Sequence, residues 1–115
     1  MSKKRSAKLL LEDICEAIDN IFDYTEGLDF EGFNNDKKTK DAVVRNFEIV
    51  GEAAHHLPEP ILTANPQLDW SGIIGFRHRL IHGYFGVDYK IVWFVIENEL
   101  AEIRNQSKVI LENLA

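Results

Sequence analysis

The chain has 115 residues, of which 45% are hydrophobic and 28% charged, so we expect a single globular domain over residues 1–115 with little room for a second core. Its formal net charge of −6 excludes nucleic-acid binding through a broadly basic surface, because each phosphate contact needs a local cation. The single cysteine excludes an intramolecular disulfide and a thiolate metal cluster, and we expect a cytoplasmic protein.

Apolar residues recur every three or four positions from about Ser6 to Glu26, which predicts a first helix that ends at Gly27. Acidic residues interrupt its apolar start within a few positions. That run is too short for a secretion signal or a membrane span, so we expect no membrane association. The segment Leu28–Lys38 is polar apart from Phe30 and Phe33, and it is predicted to be a connection.

A second helix is predicted from Lys38 or Thr39 to about His56, because apolar residues again recur at helical spacing. A short helix or turn follows, opened by Pro58 and closed by Pro66.

A fourth helix is predicted from about Trp70 to His82, with Gly83 at its end. Asp88 is a suitable N-cap for a last helix that runs nearly to the C-terminus. No segment alternates as a strand would, so the pattern predicts an all-α fold, an antiparallel bundle of about four to five helices. The apolar stripes suit an internal core, a dimer seam or both, and the sequence does not separate these outcomes.

The densest group of reactive side chains lies between Arg77 and His82, where two arginines and two histidines fall within six residues. On a continuous helix His78 and His82 share a face, and Arg79 lies one turn before His82. Arg77 and His82 point about 140° apart on an ideal helix. They converge through the length of Arg77, through a loosening at Gly83, or across the two-fold axis of a dimer.

This set of side chains suits cleavage of RNA without a metal. RNA carries its own nucleophile, the 2′-hydroxyl, and an imidazole can take its proton or protonate the leaving oxygen. A guanidinium such as that of Arg77 can hold the scissile phosphate, and Tyr84 adds a hydroxyl nearby. The alternative is structural: the arginines pair with acidic surface groups, and His82 caps the last carbonyls of its helix.

A metal site is a second alternative, because His78 and His82 have the spacing of a two-histidine site and His55 or His56 would supply a third ligand. A zinc protease helix needs a glutamate base where this chain has Arg79. Adjacent positive charges also oppose a dication, so we expect no metal.

Arg45, Glu48 and Glu52 form a polar stripe at spacings of three and four on the second predicted helix. They are candidates for residues that orient Arg77 or His82. A solvated face of intrahelical ion pairs is the alternative.

The segment Gly75–Phe85 resembles the signature of the HepT family, which are ribonuclease toxins with a HEPN domain. The family motif is Arg, four residues, His, one residue and Tyr, which here falls on Arg77, His82 and Tyr84. The resemblance extends to 39–54 and to residues just after the motif, and thus covers nearly the whole chain. His78 stands where the family more often has asparagine or another polar residue.

The resemblance implies a homodimer of HEPN helical bundles with both motifs facing one cleft. Arg77 and His82 would cleave tRNA or mRNA, and His78 and Arg79 would support contacts with RNA phosphates. The partner would be a nucleotidyltransferase antitoxin resembling MntA, which silences the toxin by attaching AMP to Tyr84, as in a type VII-like toxin–antitoxin pair. The competing hypothesis is a helical subunit without catalytic activity that binds a minimal nucleotidyltransferase.

Overall fold

The computed structural model describes residues 5–81 and 86–114, and these form an all-α bundle. His82 and Tyr84, two of the predicted site residues, lie outside the described residues. The described helices are α1 (Ala7–Thr25), α2 (Phe30–Asn34), α3 (Lys37–His55), α4 (Glu59–Ala64), α5 (Trp70–Ile74), α6 (Phe76–Leu80), α7 (Tyr89–Asn98) and α8 (Leu100–Glu112). The predicted all-α fold is confirmed.

The first two long helices begin and end close to the predicted positions. Ser6 caps α1 by accepting a hydrogen bond from the backbone N–H of Leu9 at 3.2 Å. After α1 the chain turns at Gly27, whose φ of +78° suits glycine. Asp36 caps α3 and accepts hydrogen bonds from the backbone N–H and the hydroxyl of Thr39.

The predicted connection after α1 contains a helix, which corrects the sequence-based expectation. Asp29 accepts a hydrogen bond from the backbone N–H of Gly32 at 2.8 Å and so caps the single turn of α2. The turn buries Phe33 completely, and the Phe33 ring packs against Tyr89 and Trp93 of α7. A five-residue helix is too short to produce a periodic pattern, which is why the sequence did not indicate it.

The core lies where α1 packs against α3 and α8, with α5 and α6 covering the other side of α3. Its largest fully buried side chains are Phe33, Phe47, Phe76, Leu11, Ile14, Ile18, Ile21, Leu80, Leu100, Val43, Val50 and Val92. The described core also buries the polar side chains of Thr25, Asn46 and Ser107. Asn46 is 6% exposed, donates to the Ala42 carbonyl and accepts from Asn20 of α1. None of the helices in the described ranges is both long and apolar enough to cross a membrane.

The predicted fourth helix is wrong in its extent, because it consists of two short helices, α5 and α6, on either side of Gly75. It also ends at Leu80, before the predicted end. The Leu80 carbonyl accepts a hydrogen bond at 2.7 Å from the backbone N–H of Asp88, and the extended residue Ile81 pairs with Val87 in an antiparallel bridge. These bonds to residues 87 and 88 fix the position at which α6 ends.

The predicted last helix is likewise divided into α7 and α8. Asp88 is its N-cap, as predicted, and accepts from the backbone N–H groups of Lys90 and Ile91. The interruption falls at Glu99, whose φ of −125° and ψ of −35° lie outside regular helix geometry. The sequence around Glu99 has neither glycine nor proline, so nothing in it signals the break.

Candidate active site

Arg77 lies in the middle of a surface that α6 presents to solvent. The residue before it, Phe76, is 1% exposed and packs edge-to-face on Phe47 of α3, with the ring centroids 5.2 Å apart. Because successive helical residues point about 100° apart, this anchor turns Arg77 outward. Its side chain is 75% exposed, although it remains against α3.

Gly51 allows α3 to approach the backbone of α5. A Cβ atom at position 51 would lie 3.2 Å from the carbonyl oxygen of Ile73 and 3.3 Å from that of Ile74. These neighbours are main-chain atoms of a packed helix and cannot turn aside as a side chain would. The glycine in the middle of α3 therefore explains why the two elements are so close.

An open groove of about 330 Å³ follows this contact, and we call it the α3–α6 groove. It is lined by Arg45, Phe47, Glu48, Gly51, Glu52, His55, Ile74 and Arg77. The three residues predicted on the second helix, Arg45, Glu48 and Glu52, thus lie on the same surface as Arg77.

Glu48 stands between two guanidinium groups. Its Oε2 atom is 3.8 Å from Nη1 of Arg77 and 4.0 Å from Nη1 of Arg45. Both distances exceed those of hydrogen bonds, so Glu48 attracts the two arginines electrostatically without occupying their N–H donors. This arrangement agrees with the expectation that Glu48 helps to orient Arg77, a role that stays a prediction.

His55 is a residue of the groove that the prediction of the RNA site missed. Its neighbour His56 contacts Glu52, with Nε2 3.0 Å from Oε1, and is not a lining residue of the groove. Gly51 is the sequence feature that could have indicated His55. A glycine within a helix often marks a close contact, and residues four apart, such as 51 and 55, share a helix face.

His78 is exposed on a second open surface, which Arg77 also borders together with Gly75 and Ile81. His78 lies in α6, which ends at Leu80, and the predicted helix face shared by His78 and His82 lies partly outside the described residues. The chain is already extended at Ile81, the residue before His82. Arg77 and His82 were expected to converge by one of several routes, among them a loosening of the helix at Gly83. The helix already ends at Leu80.

Arg79 lies away from the groove and contacts the junction of α7 and α8. Its Nη1 and Nη2 atoms donate to the two carboxylate oxygens of Glu99 at 2.9 and 2.6 Å. These hydrogen bonds raise the pKa of Arg79 and outweigh the opposing effect of burial. The predicted contact of Arg79 with RNA stays a prediction, but its guanidinium is already engaged by a carboxylate in this structure.

The arginines of the chain divide into two groups. Three of the five donate two hydrogen bonds each to a carboxylate: Arg5 to Asp13, Arg79 to Glu99 and Arg104 to Asp19. Among the described residues, Arg45 and Arg77 have no hydrogen bond to a carboxylate, and both line the α3–α6 groove. The groove thus contains both of the arginines that, among the described residues, have no hydrogen bond to a carboxylate.

The described residues do not group three histidine, cysteine, aspartate or glutamate side chains closely enough to hold a metal ion. Of the histidines considered as ligands, His55 and His56 pack edge-to-face with their centroids 5.3 Å apart, and His78 lies on α6. The described site presents guanidinium and imidazole groups along a polar groove.

The sequence matches known proteins over nearly its full length. Residues 14–110 match the family described as Ribonuclease HepT-like. Probable ribonuclease HepT of Thermococcus cleftensis is 40% identical over 103 residues, which cover 90% of this chain and 94% of that protein. A protein of Methanocaldococcus jannaschii named as a "putative RNase" is 36% identical over 111 residues, covering 96% and 92% respectively. No solved structure matches the chain at a significant level.

Proposed function

We propose that this chain, which belongs to the HepT-like ribonuclease family, cleaves cellular RNA internally, without a metal, through Arg77 and His82. The observation that carries this proposal is the state of Arg77. Its guanidinium is exposed, held near Glu48 at 3.8 Å and not hydrogen-bonded to a carboxylate among the described residues. A guanidinium in this state can accept a phosphate in a protein whose overall charge is negative.

The proposed reaction uses the 2′-hydroxyl of RNA as the nucleophile. His82 takes the proton of that hydroxyl while the oxygen attacks the adjacent phosphorus, and the bond from phosphorus to the 5′-oxygen breaks. The 5′-oxygen leaves with a proton from an imidazolium, so the products are a 2′,3′-cyclic phosphate and a 5′-hydroxyl. Arg77 stabilises the charge that accumulates on the phosphate oxygens.

A homodimer supplies the two imidazoles that this reaction needs, one as base and one as acid. A two-fold axis beside the motif brings Arg77 and His82 of both copies to one cleft.

Silencing is proposed to occur at Tyr84, through transfer of AMP by a nucleotidyltransferase antitoxin of the MntA kind. The modified tyrosine would carry phosphate two residues from His82. That negative charge would compete with RNA for Arg77, which explains how a single modification inhibits cleavage. On this basis the chain is the toxin of a toxin–antitoxin pair, and tRNA or mRNA is its target.

The test is cleavage of total RNA in EDTA by protein expressed without a partner, beside Arg77→Ala and His82→Ala. Cleavage by the wild type that both variants lose is the expected result. The control is Arg5→Ala, which removes one exposed charge whose partner, Asp13, is on α1. A folded dimer with unmodified Tyr84 that leaves RNA intact would instead favour the helical subunit that binds a nucleotidyltransferase without cleaving RNA.

The silencing step has its own test, because modification and cleavage are read separately. Protein co-expressed with a nucleotidyltransferase should carry added AMP on Tyr84 in mass spectra and should lose RNA cleavage. Tyr84→Phe should stay active in the presence of that enzyme. Suppressed cleavage with unmodified Tyr84 would contradict the proposed mechanism of silencing.

A further inference from the structure

We infer that the α3–α6 groove is an RNA-backbone site in which Arg45 and His55 bind phosphates next to the phosphate held by Arg77. This inference rests on the proposed function and adds two substrate contacts to it. The ligand is the phosphodiester backbone of single-stranded RNA.

The first argument is the pairing of the arginines. Within the part of the chain that the structure describes, three of the five arginines make two-point hydrogen bonds with carboxylates, and Arg45 and Arg77 make none. The side chain of Arg45 is 70% exposed, similar to that of Arg77. Open guanidinium donors that lie together suit phosphate, which accepts two parallel hydrogen bonds from each.

The second argument is the distance between them. Both Nη1 atoms lie within 4.0 Å of the same Glu48 oxygen, so they are no more than about 8 Å apart. Glu48 and the two guanidinium groups together carry one net positive charge, and Glu52, the other carboxylate of the groove, contacts His56. Glu48 lies beyond hydrogen-bonding distance of both, so that a phosphate can bind each arginine without first breaking a hydrogen bond.

The third argument concerns His55, which extends the row of hydrogen-bonding side chains along α3. His55 lines the groove one turn after Gly51, whereas the adjacent His56 is bound to Glu52. The contact with His56 also engages the carboxylate of Glu52, the second acidic residue of the groove. An imidazole at the groove can donate an N–H to a phosphate oxygen.

The lining of the groove favours the backbone of RNA over its bases. Phe47, the phenylalanine among its described lining residues, is 1% exposed and packs on Phe76, so its ring offers no face on which a base can stack. Binding through guanidinium and imidazole groups alone positions RNA without reading its sequence. The groove is therefore expected to bind RNAs of different sequence equally.

The experiment measures binding of a short RNA with 2′-O-methyl groups, which lacks the nucleophile and is not cleaved. Fluorescence anisotropy over a range of salt gives the dissociation constant and its salt dependence. Arg45→Ala and His55→Ala should each weaken binding, about tenfold for the arginine. The slope of log affinity against log salt should become shallower by about 0.7 in Arg45→Ala, because each phosphate bound by a guanidinium releases counterions.

Two controls change an arginine and a histidine outside the groove. Arg5→Ala removes an arginine bound to Asp13, and His56→Gln removes the neighbouring imidazole but keeps an N–H donor for Glu52. Both should keep the wild-type affinity and salt slope. If Arg45→Ala keeps the wild-type slope and His55→Ala keeps the wild-type affinity, or if all four variants weaken binding equally, the inference is overturned.

The variant Glu48→Gln tests for the opposite effect, an increase in RNA affinity. Removing this charge should tighten RNA binding and deepen the salt slope, because Glu48 competes with phosphate for both arginines. Unchanged or weaker binding in Glu48→Gln would contradict the competition. Since this RNA cannot be cleaved, the binding result is obtained whether or not the protein proves to be a ribonuclease.

Discussion

Arg79 and Glu99 form a two-point ion pair that joins α6 to the junction between α7 and α8, with N–O distances of 2.6 and 2.9 Å. The residues are 20 positions apart, and Glu99 is the residue at which the last helix is interrupted. Since α6 has only five residues, its position depends on such external contacts. The pair therefore supports the helix that carries Arg77.

A double-mutant cycle of Arg79→Ala and Glu99→Ala tests this support. The two side chains are 36% and 31% exposed, so water screens the pair, and we expect a coupling of about 1 kcal/mol in urea unfolding. Both single variants should also lower RNA cleavage, because α6 is then held less firmly. Additive effects on the free energy of unfolding would show that the pair contributes nothing to stability.

Gly51→Ala should destabilise the protein although alanine favours helices. The intrinsic preference amounts to about 1 kcal/mol, but the new Cβ would press on the carbonyl oxygens of Ile73 and Ile74 at 3.2 and 3.3 Å. Crowding against packed backbone costs about 1–3 kcal/mol, so the net effect should be a lower free energy of unfolding. Urea unfolding measures it, and cleavage should fall as α5 and α6 move away from α3.

The control for this prediction is Gly27→Ala, because Gly27 has open space around it and a φ of +78°. It should cost about 1 kcal/mol through backbone strain and leave cleavage unchanged. A Gly51→Ala variant that is more stable than the wild type would show that α5 can shift to accommodate the new Cβ atom.

Ser107→Ala should stabilise the protein. Ser107 is fully buried in α8, and its hydroxyl has no hydrogen-bond partner among the described residues. Removing an unsatisfied buried hydroxyl should raise the free energy of unfolding by about 1 kcal/mol, visible as a higher Tm. A lower Tm would indicate that the hydroxyl has a partner, such as bound water.

Asp36 gives a pH-dependent prediction. Hydrogen bonds from the hydroxyl and the backbone N–H of Thr39 lower the pKa of Asp36 below its ordinary value of 3.8. The ionised carboxylate therefore stabilises the fold above the unfolded-state pKa, and this contribution is lost as the pH falls through the folded-state pKa. Asp36→Asn should be less stable than the wild type at pH 7, and the difference should shrink below about pH 4.

The measurement for Asp36 is urea unfolding of both proteins at several pH values. A difference that stays constant down to pH 3 would contradict a role for the charge. Asp36→Ala should show a larger loss at pH 7, since it also removes the capping acceptor.

Helical periodicity predicted the long helices well, because α1 and α3 bury one continuous face each and are capped by local residues such as Ser6 and Asp36. It failed where non-local bonds decide the structure. The end of α6 depends on the hydrogen bond between Leu80 and Asp88, and the break at Glu99 has no local sequence signal. The spacing of residues along the chain does not indicate such non-local contacts.

The candidate site was predictable in part for a similar reason. The polar stripe of Arg45, Glu48 and Glu52 was expected near Arg77, and all four line one groove. Arg79, by contrast, was grouped with Arg77 only because the two are close in sequence. Within α6 they point to different partners, Glu48 and Glu99, and this division required knowledge of which helices lie on either side.

The buried Asn46 fixes the register of the bundle. Its amide donates within α3 and accepts from Asn20 of α1, so sliding α3 by one turn, about 5.4 Å, would strand a polar group among aliphatic side chains. Purely apolar faces would tolerate such a slip far better. Because Arg45 and Phe47 flank Asn46 in α3, this one amide contact also prevents slippage of the groove along the bundle axis.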